Sequence, residues 1–410
     1  MRRLLTHRNA RLYLSGQIMS LFGDGALWLA MGIWIKVLTG SSAAAGLSFF
    51  ALALGSLCGP AGGMLADRVR RRPLLITVNL ATAGLVLLLL LVRDRQQVWL
   101  IYTVMFGYGV SGSVLGPAQT ALVQAIVPAG LLGEANGVLQ TAQQGMRLLT
   151  PLVGAGLFAA FGPVPVVIGD AATFLAAAAT LLAIKVREDR PTPSGQRWLA
   201  EFTAGARHVA RTAALRQLTA AAAVVVIGYG LSETVLFAVV SRGLHRPATF
   251  LGILISAQGI GAIVAGLAAP ALIRRLTEGL LATLGIVCAA AGYLLLIPAA
   301  LAPVLAGSAL LGASLPWIIV GVVTLLQRRT PPELMGRVDA AFTMAYAVPQ
   351  TIAIAMGAGL VAVLDYRILL LVIAGLMVLA AGYLGTRQDQ RRPAAGACYA
   401  PGNDQSMLRP

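Results

Sequence analysis

Apolar residues run along this chain for about 20 positions at a time before polar ones interrupt, the length a helix needs to cross a bilayer. Twelve such runs can be read. In the first half they fall near 12–38, 43–66, 73–92, 98–122, 136–161 and 164–186. In the second they fall near 217–241, 248–273, 279–298, 302–326, 339–363 and 366–386. No small-residue cleavage site follows the first run, so it reads as an uncleaved span rather than a secretory signal. Between the sixth and seventh runs, Arg187 to Gly195 is charged and rich in proline, a linker. Trp198, Leu199, Phe202, Ala206 and Val209 then recur at helical spacing with Arg207, His208 and Arg211 between them, which predicts an amphipathic helix lying on a membrane surface. The pattern gives an all-α polytopic membrane protein: a six-helix bundle over 1–188, a linker over 189–215, a second six-helix bundle over 216–387, and a polar tail over 388–410 read as disordered.

The halves carry traces of a repeat. At a shift of 203 residues, Gln124, Pro128, Leu131 and Gly133 fall on Gln327, Pro331, Leu334 and Gly336, and Gly154-Ala155-Gly156-Leu157 falls on Gly357-Ala358-Gly359-Leu360. A closely related shift lays Gly23-Asp24-Gly25 of the first run over Gly228-Tyr229-Gly230 of the seventh.

Composition agrees with lipid as the solvent: 58% of the 410 residues are hydrophobic and 11% charged, where soluble chains carry about a quarter charged. The net charge of +16 would suggest nucleic acid in a soluble protein. Sorted by span, however, 24 of the 31 Lys and Arg residues fall on one side and six on the other, with Arg147 inside a span. The charge is topogenic, nucleic acid drops out as a partner, and both termini are expected in the cytoplasm of a plasma-membrane protein. Lys36 and Lys185 are the only lysines and neither follows a phosphate-loop glycine, which argues against an ATP-driven pump in this chain. His7, His208 and His245 lie outside the deep apolar runs, and Cys58, Cys288 and Cys398 are scattered. No metal, haem or disulfide framework is indicated, and no cofactor is expected.

One connection stands out. Gly62-Gly63-Met64-Leu65-Ala66-Asp67-Arg68-Val69-Arg70-Arg71-Arg72-Pro73 packs an acid and four arginines into the turn between the second and third runs. It resembles the loop at that place in major facilitator superfamily (MFS) transporters, with Arg70 where a glycine is usual. Pro331-Pro332-Glu333-Leu334-Met335-Gly336-Arg337-Val338, Gly133-Glu134-Ala135-Asn136-Gly137 and Gly23-Asp24 resemble the branch of that superfamily that includes macrolide efflux and enterobactin export proteins. The resemblance implies two bundles rocking about a central cavity. It also implies that Asp67 latches onto the start of the eleventh helix, near Gly336, Arg337 and Asp339, while Gly63, Arg68, Arg71 and Arg72 shape the loop and its phosphate contacts. The matching loop of the second half, Leu272 to Glu278, keeps two arginines without a matching acid, so the latch is expected to be one-sided.

Charges within spans call for a partner or a task, since each costs roughly 2.5–3.5 kcal/mol at a helix centre on insertion scales. Asp24 and Arg147 fall midway along the first and fifth spans, and the resemblance makes those helices neighbours. An Asp24–Arg147 pair would either tune Asp24 for proton exchange or simply fix helix register. Glu233, two-thirds along the seventh span, is a candidate proton carrier or anchor for a cationic substrate, or a carboxylate at the rim. Asp170, near one end of the sixth span, is assigned to the rim. Trp28, Tyr102, Tyr108, Tyr229, Phe237 and Trp317 are candidates for the cavity wall, where aromatics with few charges suit a large amphipathic ligand. The fifth span keeps Pro151 but only part of the antiporter glycine pattern, and the fourth, with Phe106-Gly107-Tyr108-Gly109, lacks the upstream arginine of proton-coupled antiporters.

These observations point to a monomeric secondary transporter that exports a hydrophobic or amphipathic small molecule, a macrolide-like drug or a siderophore, driven by a proton gradient. An importer or lipid flippase on the same scaffold, or a non-transporting receptor, is the alternative. A membrane-embedded enzyme would call for an intramembrane His, Ser-His pair or metal cluster, and the sequence offers none.

Overall fold

In lipid a peptide group has no water to bond, so a run of apolar residues satisfies its own N–H and C=O groups by coiling into a helix. A computed structural model describes residues 6–128, 131–184, 186, 198–273, 275–330 and 334–391. The first half holds α1 (Arg8–Thr39), α2 (Ser42–Ser56), α3 (Gly59–Arg68), α4 (Arg71–Leu87), α5 (Val98–Ile126), α6 (Leu132–Phe161) and α7 (Val164–Ala183). The amphipathic α8 (Trp198–Arg211) follows. The second half holds α9 (Ala213–Ala238), α10 (Leu251–Ile273), α11 (Glu278–Leu295), α12 (Leu301–Arg329), α13 (Met335–Val363), α14 (Tyr366–Thr386) and a short α15 (Gln388–Arg391). Among the described residues ten helices are long and apolar enough to cross a membrane, and the shorter apolar helices Ser42–Ser56 and Leu149–Phe161 complete the twelve spans. The fifth span counts as short because the first half of α6 carries Glu134, Asn136, Gln140, Gln143, Gln144 and Arg147.

Two expectations about the spans need correction. The second span is not one helix: α2 ends at Ser56, the chain turns through Leu57 and Cys58, and α3 begins at Gly59. Pro60 explains the break, because it has no N–H for the Ser56 carbonyl four residues back. The polar tail is not disordered from 388 onward. In α15 Gln390 is 1% exposed. Its Nε2 donates to the Ala214 carbonyl at 2.9 Å, Thr277 Oγ1 donates to the Gln390 carbonyl at 2.7 Å, and Gln217 Nε2 donates to Asp389 Oδ2 at 2.9 Å. The end of the twelfth span is thereby tied to the starts of the seventh and ninth. Residues beyond 391 lie outside the described ones.

Packing repeats from one half to the other. α1 lies against α6 and α7, α2 and α3 against α5, and α4 against α5 and α7. Six spans later, α9 lies against α13 and α14, α10 against α12, and α11 against α12 and α14. The halves meet in an exchanged pair of contacts, α2 on α13 and α6 on α10. The linker helix α8 packs on α13, and His208 Nε2 stands 3.2 Å from the Arg329 carbonyl oxygen, so the linker rests on the second half. Because span directions alternate, the starts of α1 and α9 and the end of α14 share one face, called the basic face below. The ends of α1 and α9 mark the far face.

Candidate functional site

The centre of the molecule is framed by glycines that let helices approach closely. A Cβ at Gly23 would collide with Asp170 and Thr173 of α7, and one at Gly25 with Thr150 of α6. In the second half, a Cβ at Gly228 would collide with Met377 of α14, and one at Gly230 with the Gln350 carbonyl of α13. Gly154 lies on the backbone of Ala26 and Gly357 on that of Leu231 in the same way. The repeat shifts thus reappear as matching helix crossings.

Between the two frames lies a cavity of about 560 Å³ lined by residues of α1, α5, α6, α9, α10, α11 and α12. Five expected residues meet there: Asp24, Trp28, Tyr108, Tyr229 and Glu233. The wall also takes Gln143, Met146, Thr150 and Pro151 from α6, Gln258 from α10 and Tyr293 from α11. Most of this lining is apolar or aromatic, the composition that holds a large ligand through surface contact, with a few polar groups to orient it.

The polar groups are organised. Tyr108 Oη donates a hydrogen bond to Asp24 Oδ1, and Ser20 Oγ reaches Asp24 Oδ2 at 3.5 Å. Tyr229, the counterpart of Asp24, shares a hydrogen bond of 2.6 Å with Ser314 of α12. Tyr293 Oη donates to Ser232 Oγ at 3.1 Å, and its ring meets that of Tyr229 edge to face at 6.2 Å.

Toward the far face the cavity is roofed. Trp28 stacks at 4.9 Å on Phe49, which lies 5.9 Å from Phe237, so aromatic rings of both halves close over the space. Gly32 makes room for the Phe237 ring, Gly46 for the Thr234 side chain, and Gly252 lies on the Pro151 carbonyl. In the other direction, a groove of about 390 Å³ shares Ile255, Gln258 and Leu315 with the cavity and follows α10 and α12 to Leu267 and Val320, toward the basic face.

Three expected wall residues sit elsewhere. Phe237 is 2% exposed and belongs to the roof. Tyr102 turns away and donates to the Ala44 carbonyl at 2.9 Å, tying α5 to α2. Trp317 Nε1 donates to the Ala265 carbonyl at 3.0 Å, tying α12 to α10. Asp170 is not at a rim. It is 1% exposed, lies against Gly23, and neither carboxyl oxygen has a hydrogen-bond partner among the described residues. Depth along a helix can be read from sequence, but the face an acid takes cannot. The repeat shift carried a usable signal, since it lays Asp170 over Ile373.

At the basic face, Arg72 of the motif loop donates from Nε and Nη2 to the carbonyls of Leu181 and Leu182, both at 2.8 Å. A cation at the last turn of α7 complements that helix's dipole, and it ties the third span to the sixth. Gly62 lets α3 lie against the Ser113 carbonyl of α5, whereas Gly63 faces open space and Arg68 is exposed. Arg71 is half-buried, with no hydrogen-bond partner for Nε among the described residues. The latch expected of Asp67 with Gly336, Arg337 and Asp339 falls on residues whose side chains lie outside the described ones, and so does the Arg147 side of the expected Asp24–Arg147 pair. In the second half, Glu278 at the start of α11 pairs with Arg328 at the end of α12.

A cavity between two repeated bundles, roofed at one face and continued toward the other, defines a multi-pass membrane transporter. The model of the Major Facilitator Superfamily matches residues 13–354, and the chain belongs to that family. Macrolide efflux protein A of Streptococcus pyogenes is 31% identical over 150 residues, covering 35% of this chain and 36% of that protein. Macrolide efflux protein A of Enterococcus faecalis is 28% identical over 130 residues, covering 31% of this chain and 40% of that one. The match therefore spans well under half the length of these relatives. Among solved structures, a mutant form of the nucleoside transporter NupG superposes with a TM-score of 0.74 at 12% identity, covering 91% of this chain and 99% of that chain. A bacterial homologue of the iron transporter ferroportin in an inward-facing state gives 0.72 at 16% identity, covering 93% and 98%. Likeness at that identity concerns the fold.

Proposed function

We propose that this transporter exports a bulky amphipathic molecule of the macrolide class, in exchange for protons, by rocking its two halves about the central cavity. The observation that carries the reading is the cavity itself: about 560 Å³, walled by Trp28, Tyr108, Tyr229 and Tyr293, with Asp24 and Glu233 as the acids among the described lining residues. Aromatic walls tolerate varied apolar shapes, and an acid adds attraction for an amine-bearing ligand. The partial likeness to macrolide efflux proteins supports the substrate class. The excess of basic residues at the basic face supports placing that face, with both termini, in the cytoplasm of the plasma membrane. The roofed far face is then the outside, and the conformation is open inward.

In this reading Glu233 and the aromatic wall hold the substrate, and Asp24 exchanges protons with the cavity. The Asp67 loop and the start of α13 close the basic face when the molecule turns outward. The chain acts as a monomer with the bilayer and a small molecule as its partners, and needs no cofactor besides the gradient. Everted vesicles carrying the overproduced protein test this directly. Labelled erythromycin should accumulate when the interior is made acid, and collapse of the gradient should stop it. Accumulation independent of the gradient would remove proton exchange. Accumulation of a siderophore or a lipid probe in its place would move the substrate class.

A further inference from the structure

Asp170 has no place in that reading, yet among the described residues of the first half it is the acid left without a hydrogen-bond partner for either carboxyl oxygen. Its carboxyl is buried, neither oxygen has a hydrogen-bond partner among the described residues, and Oδ1 lies against Gly23, one residue from Asp24. Burying a carboxyl without a partner is costly, and such groups in a membrane span persist where they do something. Packing does not require an acid here. In the second half the equivalent place against Gly228 is filled by Ile373 and Met377.

The surroundings suit a shared role with Asp24. Tyr108, which holds Asp24 Oδ1, packs edge to face at 5.6 Å on Phe174, one turn along α7 from Asp170. Asp24 and Tyr108 are both within electrostatic reach of Asp170. The charged residues of α4 are Arg71 and Arg72, the latter bound at the other end of α7, and α6 carries Arg147, whose side chain is outside the described ones. On the side away from the cavity, Ser20 joins Asp24 to a small hollow lined by Gln17, Asn79 and Gln119. Its volume of about 10 Å³ is close to the room of one water.

We propose that Asp24 and Asp170 form a single two-carboxyl proton site, which the substrate cavity reaches through Asp24 and which Asp170 keeps out of the substrate's way. With one proton between them the pair carries a charge of −1. Uptake of a second forms one O–H bond at a carboxylate oxygen, takes the proton from a hydronium ion and leaves water. Release into water reverses the step. Ser20 and the hollow behind it lead from the pair toward the basic face. The proposal rests on the proton-exchange reading above, and the test has one arm that needs no substrate.

Infrared difference spectra of the protein in vesicles, titrated from about pH 5 to about pH 9, report protonated carboxyl groups directly. The wild type should show a carboxyl band lost in two coupled steps, and D170N and D24N should each leave a single step at a different pH. D170I, which installs the residue of the twin half, keeps the packing if D170N fails to fold. In the second arm, exchange of labelled for unlabelled erythromycin should depend on pH in the wild type and lose that dependence in D170I. An unchanged spectrum in D170N, or full pH dependence of exchange in D170I, overturns the proposal. If the wild type does not exchange erythromycin, the substrate reading falls and the infrared arm still decides the pair.

Discussion

Gly23-Asp24-Gly25 in the first span and Gly228-Tyr229-Gly230 in the seventh occupy the same place in the two halves. In both, the first glycine admits the last span of the bundle and the second admits the next-to-last, α7 and α6 in one half, α14 and α13 in the other. In both, the residue between reaches across to the fourth span of its own half, Asp24 to Tyr108 and Tyr229 to Ser314. The bond is kept while its chemistry changes. One half places an ionisable acid at the centre, backed by a second acid at Asp170. The other places a phenol there, backed by Ile373, and keeps its acid one turn further at Glu233, where the first half has Trp28. Under the proposed function this is a division of labour on one scaffold: glycines fix the geometry twice over, and the residues between them would give one half groups that exchange protons and the other an aromatic wall with a single anchor.

The comparison is broken most severely by filling a glycine. Gly230→Val presses on the Gln350 backbone, which has no rotamer to escape into, and should cost about 1–3 kcal/mol of helix packing. Membrane-inserted protein recovered from cells should fall several-fold. Gly25→Ala has the Thr150 side chain rather than backbone as its nearest neighbour and should fall less.

Next comes the anchor. Glu233→Gln should raise KM for a cationic macrolide by about tenfold while leaving a neutral analogue within about twofold. Equal effects on both would remove Glu233 from charge recognition. A third change sharpens the roof. Phe237→Ala removes a ring that is buried between the halves, and a cysteine placed at Phe49 should then react several-fold faster with a membrane-impermeant thiol reagent from the far face. The smallest effect is expected of Tyr293→Phe, which gives up one neutral hydrogen bond to Ser232 and should lower transport no more than about threefold.

Much of this architecture could be read in the sequence because its causes are local. Runs of apolar residues define spans whatever surrounds them, and the linker helix announces itself by the spacing of Trp198, Leu199, Phe202, Ala206 and Val209. The shifts of 203 and 205 residues were visible as matching glycines, and those glycines prove to be the crossings. Features that depend on helix rotation were not visible. Tyr102, Phe237 and Trp317 lie on the right spans but turn from the cavity, and Asp170 turns from the rim into the bundle. Pro60 was in plain view as a helix breaker, but the apolar count across it hid the break between α2 and α3. The docking of α15 depends on Gln390 meeting Ala214 and Gln217 about 175 residues away, a contact that no pattern in the polar tail discloses.

The division of labour is tested most directly by uptake of labelled erythromycin into everted vesicles with an acid interior, comparing Asp24→Asn with Tyr229→Phe at matched membrane abundance. The account predicts that Asp24→Asn lowers gradient-driven uptake by about a hundredfold and that Tyr229→Phe lowers it by no more than about threefold. Equal losses in the two variants, or uptake in Asp24→Asn that still follows the gradient, would contradict it.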